Sequence, residues 1–271
     1  NEVILIEIVP RKTNGEEPPP EVAQVMQSVD VVLCPTSKSL THTNAKRAAS
    51  ALGVRVATLP GVTEEMMVRC MNADYHQIAA LTNKLVAMME ETSVIRVTSP
   101  AGTDITMPVK GRKAYASHGL FREKGKGGNL PTGEAFLAPL ERVSQGTVVV
   151  DGSMAGIGKL KTPLRIAVRD GYAEEVTGGE EAAKLIGLWN IHGRLSRNVA
   201  EFGIGTNDKA IITGVILEDE KVKGTIHIAF GDNVSMGGSV NVQSHLDGLV
   251  NAPSVWFDEA LIMKEGKLLV E

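Results

Sequence analysis

The sequence predicts an α/β N-terminal domain with a parallel sheet, followed by a β-rich α+β domain that binds metal. Three observations carry this. In the first ninety or so residues, short apolar runs alternate with stretches of helical period, the strand, helix, strand order that goes with parallel pairing. From Ser93 onward the texture changes to short apolar segments punctuated by glycine, with one outstanding helix. Finally, 43% of the 271 residues are hydrophobic, enough to supply a core for one or two domains.

In order along the chain, residues 1–10 read as a strand through Val3, Ile4, Leu5, Ile6 and Ile8. With Asn rather than Met at position 1, that strand is expected to lie inside a domain whose first elements are absent. After a polar loop, Val22, Val25, Met26 and Val29 recur at helical spacing, and Val31–Cys34 follows as a buried strand stopped by Pro35. Thr43 caps a helix carrying Ala45, Ala48, Ala49 and Leu52, which Gly53 ends before a strand at 54–59. A long helix, Tyr75–Glu91, with Ile78, Leu81, Leu85 and Met88 on one face, closes the first domain, so the boundary falls between residues 1–92 and 93–271. In the second domain strands are expected at 94–98, 104–108, 147–150, 164–168, 210–217, 225–230 and 255–269, the last containing a Glu265-Gly266 hairpin turn. The helix at 180–198 leads directly into Glu201, and 124–128 reads as a mobile glycine-rich loop.

Charge and composition narrow the function classes. With 28 Lys+Arg against 32 Asp+Glu the net charge is −4, which gives no general attraction to nucleic acid or to an anionic membrane. No apolar run approaches the ~18 residues of a membrane span, and the opening lacks the basic-then-apolar layout of a secretory leader. A soluble, cytoplasmic protein is expected. Cys34 and Cys70 are too few for a disulfide framework or a thiolate zinc site and read as reduced core residues.

The glycine-rich stretches tempt first. Gly152-Ser-Met-Ala-Gly156-Ile-Gly158-Lys159 has the wrong spacing for a phosphate loop, and Gly203-Ile-Gly205 lacks the third glycine of a dinucleotide fingerprint, so both read as turns. The informative cluster is Thr225-Ile226-His227-Ile228-Ala229 followed by Ser244-His245-Leu246-Asp247-Gly248. On a strand, residues i and i+2 share a face, so His245 and Asp247 can grip one cation. His227, in an apolar run, would complete a set of two histidines and one carboxylate from a neighbouring strand. Glu134 and Glu201 stand in apolar settings where a carboxylate needs a cation or a proton. By contrast, Glu218-Asp219-Glu220-Lys221 reads as a solvated acidic turn.

The stretches at 129–139, 200–207, 224–231 and 245–248, together with Ser99-Pro-Ala-Gly-Thr-Asp104, resemble in their order the M29 metallo-aminopeptidases, and more closely a group of shorter relatives known as leucyl aminopeptidases. The resemblance implies that Glu134, Glu201, His227, His245 and Asp247 hold two divalent metals, zinc, cobalt or manganese. Glu220 could match a further acidic ligand, at a spacing two residues longer than the family's. The resemblance also implies a homodimer. Two departures bear on the reaction: Val234 stands where the peptidases carry a tyrosine thought to assist catalysis, and the Thr-Glu-Glu of the first motif has become Thr132-Gly133-Glu134.

Two enzymatic readings follow. The preferred one is an aminopeptidase acting on peptides, in which water shared by two metals becomes hydroxide and attacks a polarised carbonyl, with Glu134 and Glu201 as the catalytic carboxylates. The alternative is an iron-dependent dioxygenase of the 2,5-dihydroxypyridine type, which this architecture also resembles. There one iron, held by His227, His245 and Asp247, would act on a small aromatic diol. A structural ion that merely pins strands together is the third and weakest reading.

Overall fold

The computed structural model describes residues 2–270, which divide into two compact units. One runs to Tyr75 and takes in Gly119–Thr132; the other joins His76–His118 to the chain from Gly133 onward. The sequence reading cuts the chain near residue 93, while the units change over at the start of the helix Tyr75–Glu91.

The first unit is built on a parallel sheet of three strands, in the order Val31–Cys34, Arg55–Thr58, Gly127–Asn129. Its helices, Pro20–Met26, Asn44–Ala51 and Glu64–Cys70, start where local chemistry dictates. The hydroxyls of Thr43 and Thr63 accept from the backbone N–H groups of Lys46 and Met66, and Pro20 occupies a first-turn position where its missing N–H costs nothing. Met26, Cys34, Leu40, Ala45, Ala49, Val54 and Val56 form its core. Two expectations fail here. The stretch expected to be a mobile loop at 124–128 runs instead into the third strand, because Val56 and Ala57 still have a free ladder edge and Gly127 and Gly128 pair with them. The opening residues form no strand: within 2–10 no partner strand is present, and Val3, Ile4 and Leu5 are exposed.

The second unit holds two antiparallel sheets. The eight-stranded sheet runs in the order Tyr172–Thr177, Leu164–Arg169, Gln145–Val150, Asp104–Pro108, Val94–Thr98, Ser254–Phe257, Ala260–Lys264, Lys267–Leu268, with Glu265-Gly266 turning between the last two as expected. The seven-stranded sheet runs Gly158–Lys159, Ser153–Met154, His245–Val250, Ile226–Gly231, Val199–Gly205, Glu134–Leu137, Ala114–Ser117. One face of each sheet feeds a single apolar core: Ile95, Val97, Ile105 and Ile166 from one, Leu137, Phe202, Ile204, Ile226, Ile228 and Phe230 from the other, with Leu185 and Trp189 from the helix Gly179–His192. That helix ends earlier than expected, at Gly193, and the 3₁₀ turn Arg194–Arg197 takes the chain into the Val199 strand.

The strand expected at 210–217 is absent. Ile216–Asp219 forms one helical turn instead, and the preceding backbone N–H groups are taken by its acidic side chains: Ile211 donates to Glu218, and Thr213 and Gly214 donate to Asp219. A buried N–H must find an acceptor, and here carboxylates supply it in place of a neighbouring strand. Among the described residues no helix is long and apolar enough to cross a membrane.

Ile228 is fully buried at the centre of the seven-stranded sheet, whereas Leu33 lies 64% exposed on an edge strand. Ile228→Ala should cost about 3 kcal/mol, and Leu33→Ser less than about 0.5 kcal/mol. Urea denaturation midpoints of the two variants check the contrast.

Candidate metal centre

Strand pairing places the acidic and imidazole side chains. Glu201 pairs with Ala229, which pairs with Asp247; Gly203 pairs with His227, Gly231 with His245, and Gly205 with Glu134. With side chains alternating along each strand, this register sets Glu134, Glu201, His227, His245 and Asp247 on one face, opposite Phe202, Ile204, Ile226 and Ile228. A slip of one residue would drive the charged set into the apolar core.

The same face is floored by small residues, and two of them decide what stands above it. A methyl group on Gly203 would overlap the imidazole of His227, so that ring lies directly over the Gly203 backbone. A methyl group on Gly205 would overlap the backbone of Lys221 and Val222, which crosses the sheet at this point. Asn207 N–H donates to the Lys221 carbonyl at 2.9 Å and anchors the crossing. Glu220 and Lys221 are thereby carried onto the site. Both glycines read as turn residues in the sequence, yet both lie inside the strand Val199–Gly205 and serve close approach.

Glu201 stands between the imidazoles. Its Oε1 lies 3.1 Å from His227 Nε2 and its Oε2 lies 3.1 Å from His245 Nε2. His245 Nδ1 donates to the carbonyl of Asp232 at 2.8 Å; a carbonyl can only accept, so the proton sits on Nδ1 and Nε2 is the atom turned to Glu201 and to Asp247, 3.5 Å away. His227 Nε2 also lies 3.7 Å from Glu134, while its Nδ1 is buried with no hydrogen-bond partner. Lys221, whose side chain is 1% exposed, places Nζ 2.6 Å from Glu134 Oε1 and in contact with Glu220 Oε1.

The electrostatics follow from this packing. Burial alone would raise the Glu201 carboxyl and lower both imidazoles. The hydrogen bonds between them reverse this for Glu201, held well below the usual carboxylate range, and for His227, raised to about 9; the charge of Asp247, with hydrogen bonds to it and to Glu201, holds His245 well above its ordinary value. Burial pushes Glu220 up to about 8 against the pull of Lys221, aided by the charges of Glu134 and Asp247. Lys221 is held charged by Glu134 and Glu220 although burial alone would lower it.

Three groups bring their donor atoms within 4.8 Å of one another: Glu134, Glu201 and His227; Glu201, His245 and Asp247; Glu220, His227 and Asp247. All six sequence-predicted residues therefore come together, Glu220 included, although its segment read as a solvated turn. Glu218 and Asp219 are fully buried, which corrects that reading. The residue missed altogether is Lys221, since a lysine beside two acids looks like any surface charge run. Val234, at the position of the peptidase tyrosine, is 47% exposed in a 3₁₀ turn. The donor set fits a divalent cation: acids outnumber fixed positive charges in a buried cluster, each of the three donor groups includes one imidazole, and a buried His227 nitrogen lacks a partner.

A family model described as NicX, 2,5-dihydroxypyridine 5,6-dioxygenase, matches residues 11–270. The chain belongs to that family. A curated NicX-type relative, the 2,5-dihydroxypyridine 5,6-dioxygenase of Pseudomonas putida KT2440, is 21% identical over 202 residues, 67% of this chain. The match spans 56% of that relative, a little over half its length. The solved structure of 2,5-dihydroxypyridine dioxygenase from Pseudomonas putida KT2440 has a TM-score of 0.79 at 19% identity, covering 93% of this chain and 75% of that one. Wild-type AmpT from Thermus thermophilus has a TM-score of 0.63 at 16% identity, covering 83% of this chain and 79% of that one. At these identities both likenesses are likenesses of fold.

Membership in the NicX family overturns the preferred aminopeptidase reading, and with it the description of the chain as a metalloprotease or hydrolase. The ordered motifs behind that reading describe a scaffold that AmpT shares. A scaffold hosts more than one chemistry, so the order of its motifs could not name the reaction.

Two outcomes are expected of the cluster. Because both imidazoles are protonated against Glu201 in the absence of an ion, metal uptake must expel protons. Loading in weak buffer should acidify the solution, and apparent affinity should keep rising with pH toward about 9 rather than level off near the ordinary histidine value of 6.5. Gly203→Ala should displace the His227 ring and weaken metal binding about 10- to 100-fold, as read by titration calorimetry, while the fold persists by circular dichroism.

Proposed function

We propose that this chain is a ring-opening dioxygenase acting on a dihydroxylated pyridine, with one iron held by His227, His245 and Asp247. The observation that carries the reading is the pair of imidazoles and the Asp247 carboxylate on one sheet face, in a chain of the NicX family. When bound, iron in a set of two histidines and one carboxylate would supply open positions for a ring oxygen and for dioxygen, and the redox capacity that joins them.

The protein's own residues do the rest. The Asp232 carbonyl fixes the His245 tautomer so that Nε2 is free to ligate. Glu201 holds both Nε2 protons in the absence of iron and surrenders those contacts on loading. With iron in place those imidazole protons are gone, and Glu201 is left free to accept a proton from a closely held donor. Glu134 and Glu220 are held by the Lys221 ammonium beside the proposed iron ligands. Glu201 is thus placed to take a proton from a ring hydroxyl and to give it back to the opened product. Both atoms of dioxygen enter across the ring bond between positions 5 and 6, so no outside reductant is consumed.

The direct test is oxygen uptake by protein loaded anaerobically with ferrous iron, on adding 2,5-dihydroxypyridine. One oxygen consumed per substrate lost is expected, with the rate falling by about 100-fold or more in His245→Ala, whose iron content should fall in parallel. Absence of oxygen uptake across a panel of dihydroxypyridines and dihydroxybenzenes would overturn the proposal.

A further inference from the structure

We propose that Lys221 is a built-in substitute for a second metal ion: its ammonium occupies the acids that such an ion would need, and so restricts the cluster to one. The inference deepens the single-iron reading and rests on it for the identity of the resident metal.

The cluster has two poles. At one, Glu201, His245 and Asp247 bring donor atoms within 4.8 Å of one another. At the other, Glu134 and Glu220 are joined by Lys221, whose Nζ is 2.6 Å from Glu134 Oε1 and touches Glu220 Oε1. His227 lies between them, its Nε2 3.1 Å from Glu201 and 3.7 Å from Glu134. The Lys221 pole therefore has two acids suited to a cation of their own, but one oxygen of each is already engaged by the ammonium.

Lysine is suited to this use. Its ammonium is a compact point charge with three donors, which can sit between carboxylate oxygens much as a small cation does. It is also a residue almost never fully buried unless paired. Here the burial is enforced by the backbone: Lys221 N–H donates to Glu218 O, the Lys221 carbonyl accepts from Asn207, and Gly205 leaves room for the segment to cross the sheet. An ammonium fixed on the same oxygens excludes a divalent ion sterically and by charge. Removing the ammonium leaves Glu134 and Glu220 facing each other with no cation, a pair that binds one from solution.

The test counts metal. Protein stripped with a chelator, saturated with Mn(II) and desalted, is measured for metal per chain and by electron paramagnetic resonance. Wild type is expected to hold one ion per chain with the spectrum of an isolated centre. Lys221→Ala is expected to hold two, a twofold rise, with the spectrum of an exchange-coupled pair, while Lys221→Arg, which keeps the charge, stays at one. Should Lys221→Ala fold only when Mn(II) is supplied, as followed by circular dichroism, the ion has replaced the ammonium and the proposal stands. Two ions per wild-type chain, or a folded Lys221→Ala that still holds one, overturns it. So does failure of both Lys221→Ala and Lys221→Gln to fold at saturating Mn(II). These counts do not depend on turnover: a wild type that consumes no oxygen sinks the dioxygenase reading, and a wild type with two ions sinks the role of Lys221.

Discussion

Burying Glu134, Glu201 and Asp247 beside one another requires positive charge at the same place, because a carboxylate withdrawn from water without a partner costs several kcal/mol. The second unit is arranged around that requirement. Glu201 is satisfied by two imidazoles and Glu134 by Lys221, and what remains is a donor set short of one cation. Each supporting feature serves the same end. Gly203 gives His227 room to lie flat on the sheet, Gly205 lets the Lys221 segment cross it, and the carbonyl of Asp232 turns His245 Nε2 inward.

Antiparallel pairing makes such a site economical. Three adjacent strands, Val199–Gly205, Ile226–Gly231 and His245–Val250, each present alternate residues to the core and to the site. The apolar half of every strand secures the register that aligns the polar half, so packing and chemistry are specified by one pattern. Glu218 and Asp219 extend this logic into irregular backbone. They tie down residues 211–214 through hydrogen bonds to backbone N–H groups, and the resulting turn delivers Glu220 and Lys221.

The likeness to AmpT and the membership in the NicX family show how little of a reaction is written in a scaffold. A scaffold of strands carrying acids and histidines in a given order can host more than one chemistry.

The sequence by itself determined the elements and most of the site. Helical spacing and caps located Asn44–Ala51 and Tyr75–Glu91, apolar runs located Val31–Cys34 and the strands carrying His227 and His245, and the His-x-Asp alternation placed His245 and Asp247 on one face, because these signals are local and periodic. What the tertiary structure alone decided was everything that depends on which backbone approaches which. Gly127–Asn129 became a strand because Arg55–Thr58 had an open edge, and the acids at 218–219 went inward because the N–H groups at 211–214 needed acceptors. Lys221 left the solvent for Glu134 because Gly205 let its backbone through. A charge run carries no periodicity that separates a solvated face from a buried ion pair; the partner that decides between them lies some ninety residues away in the chain and is brought near only by folding.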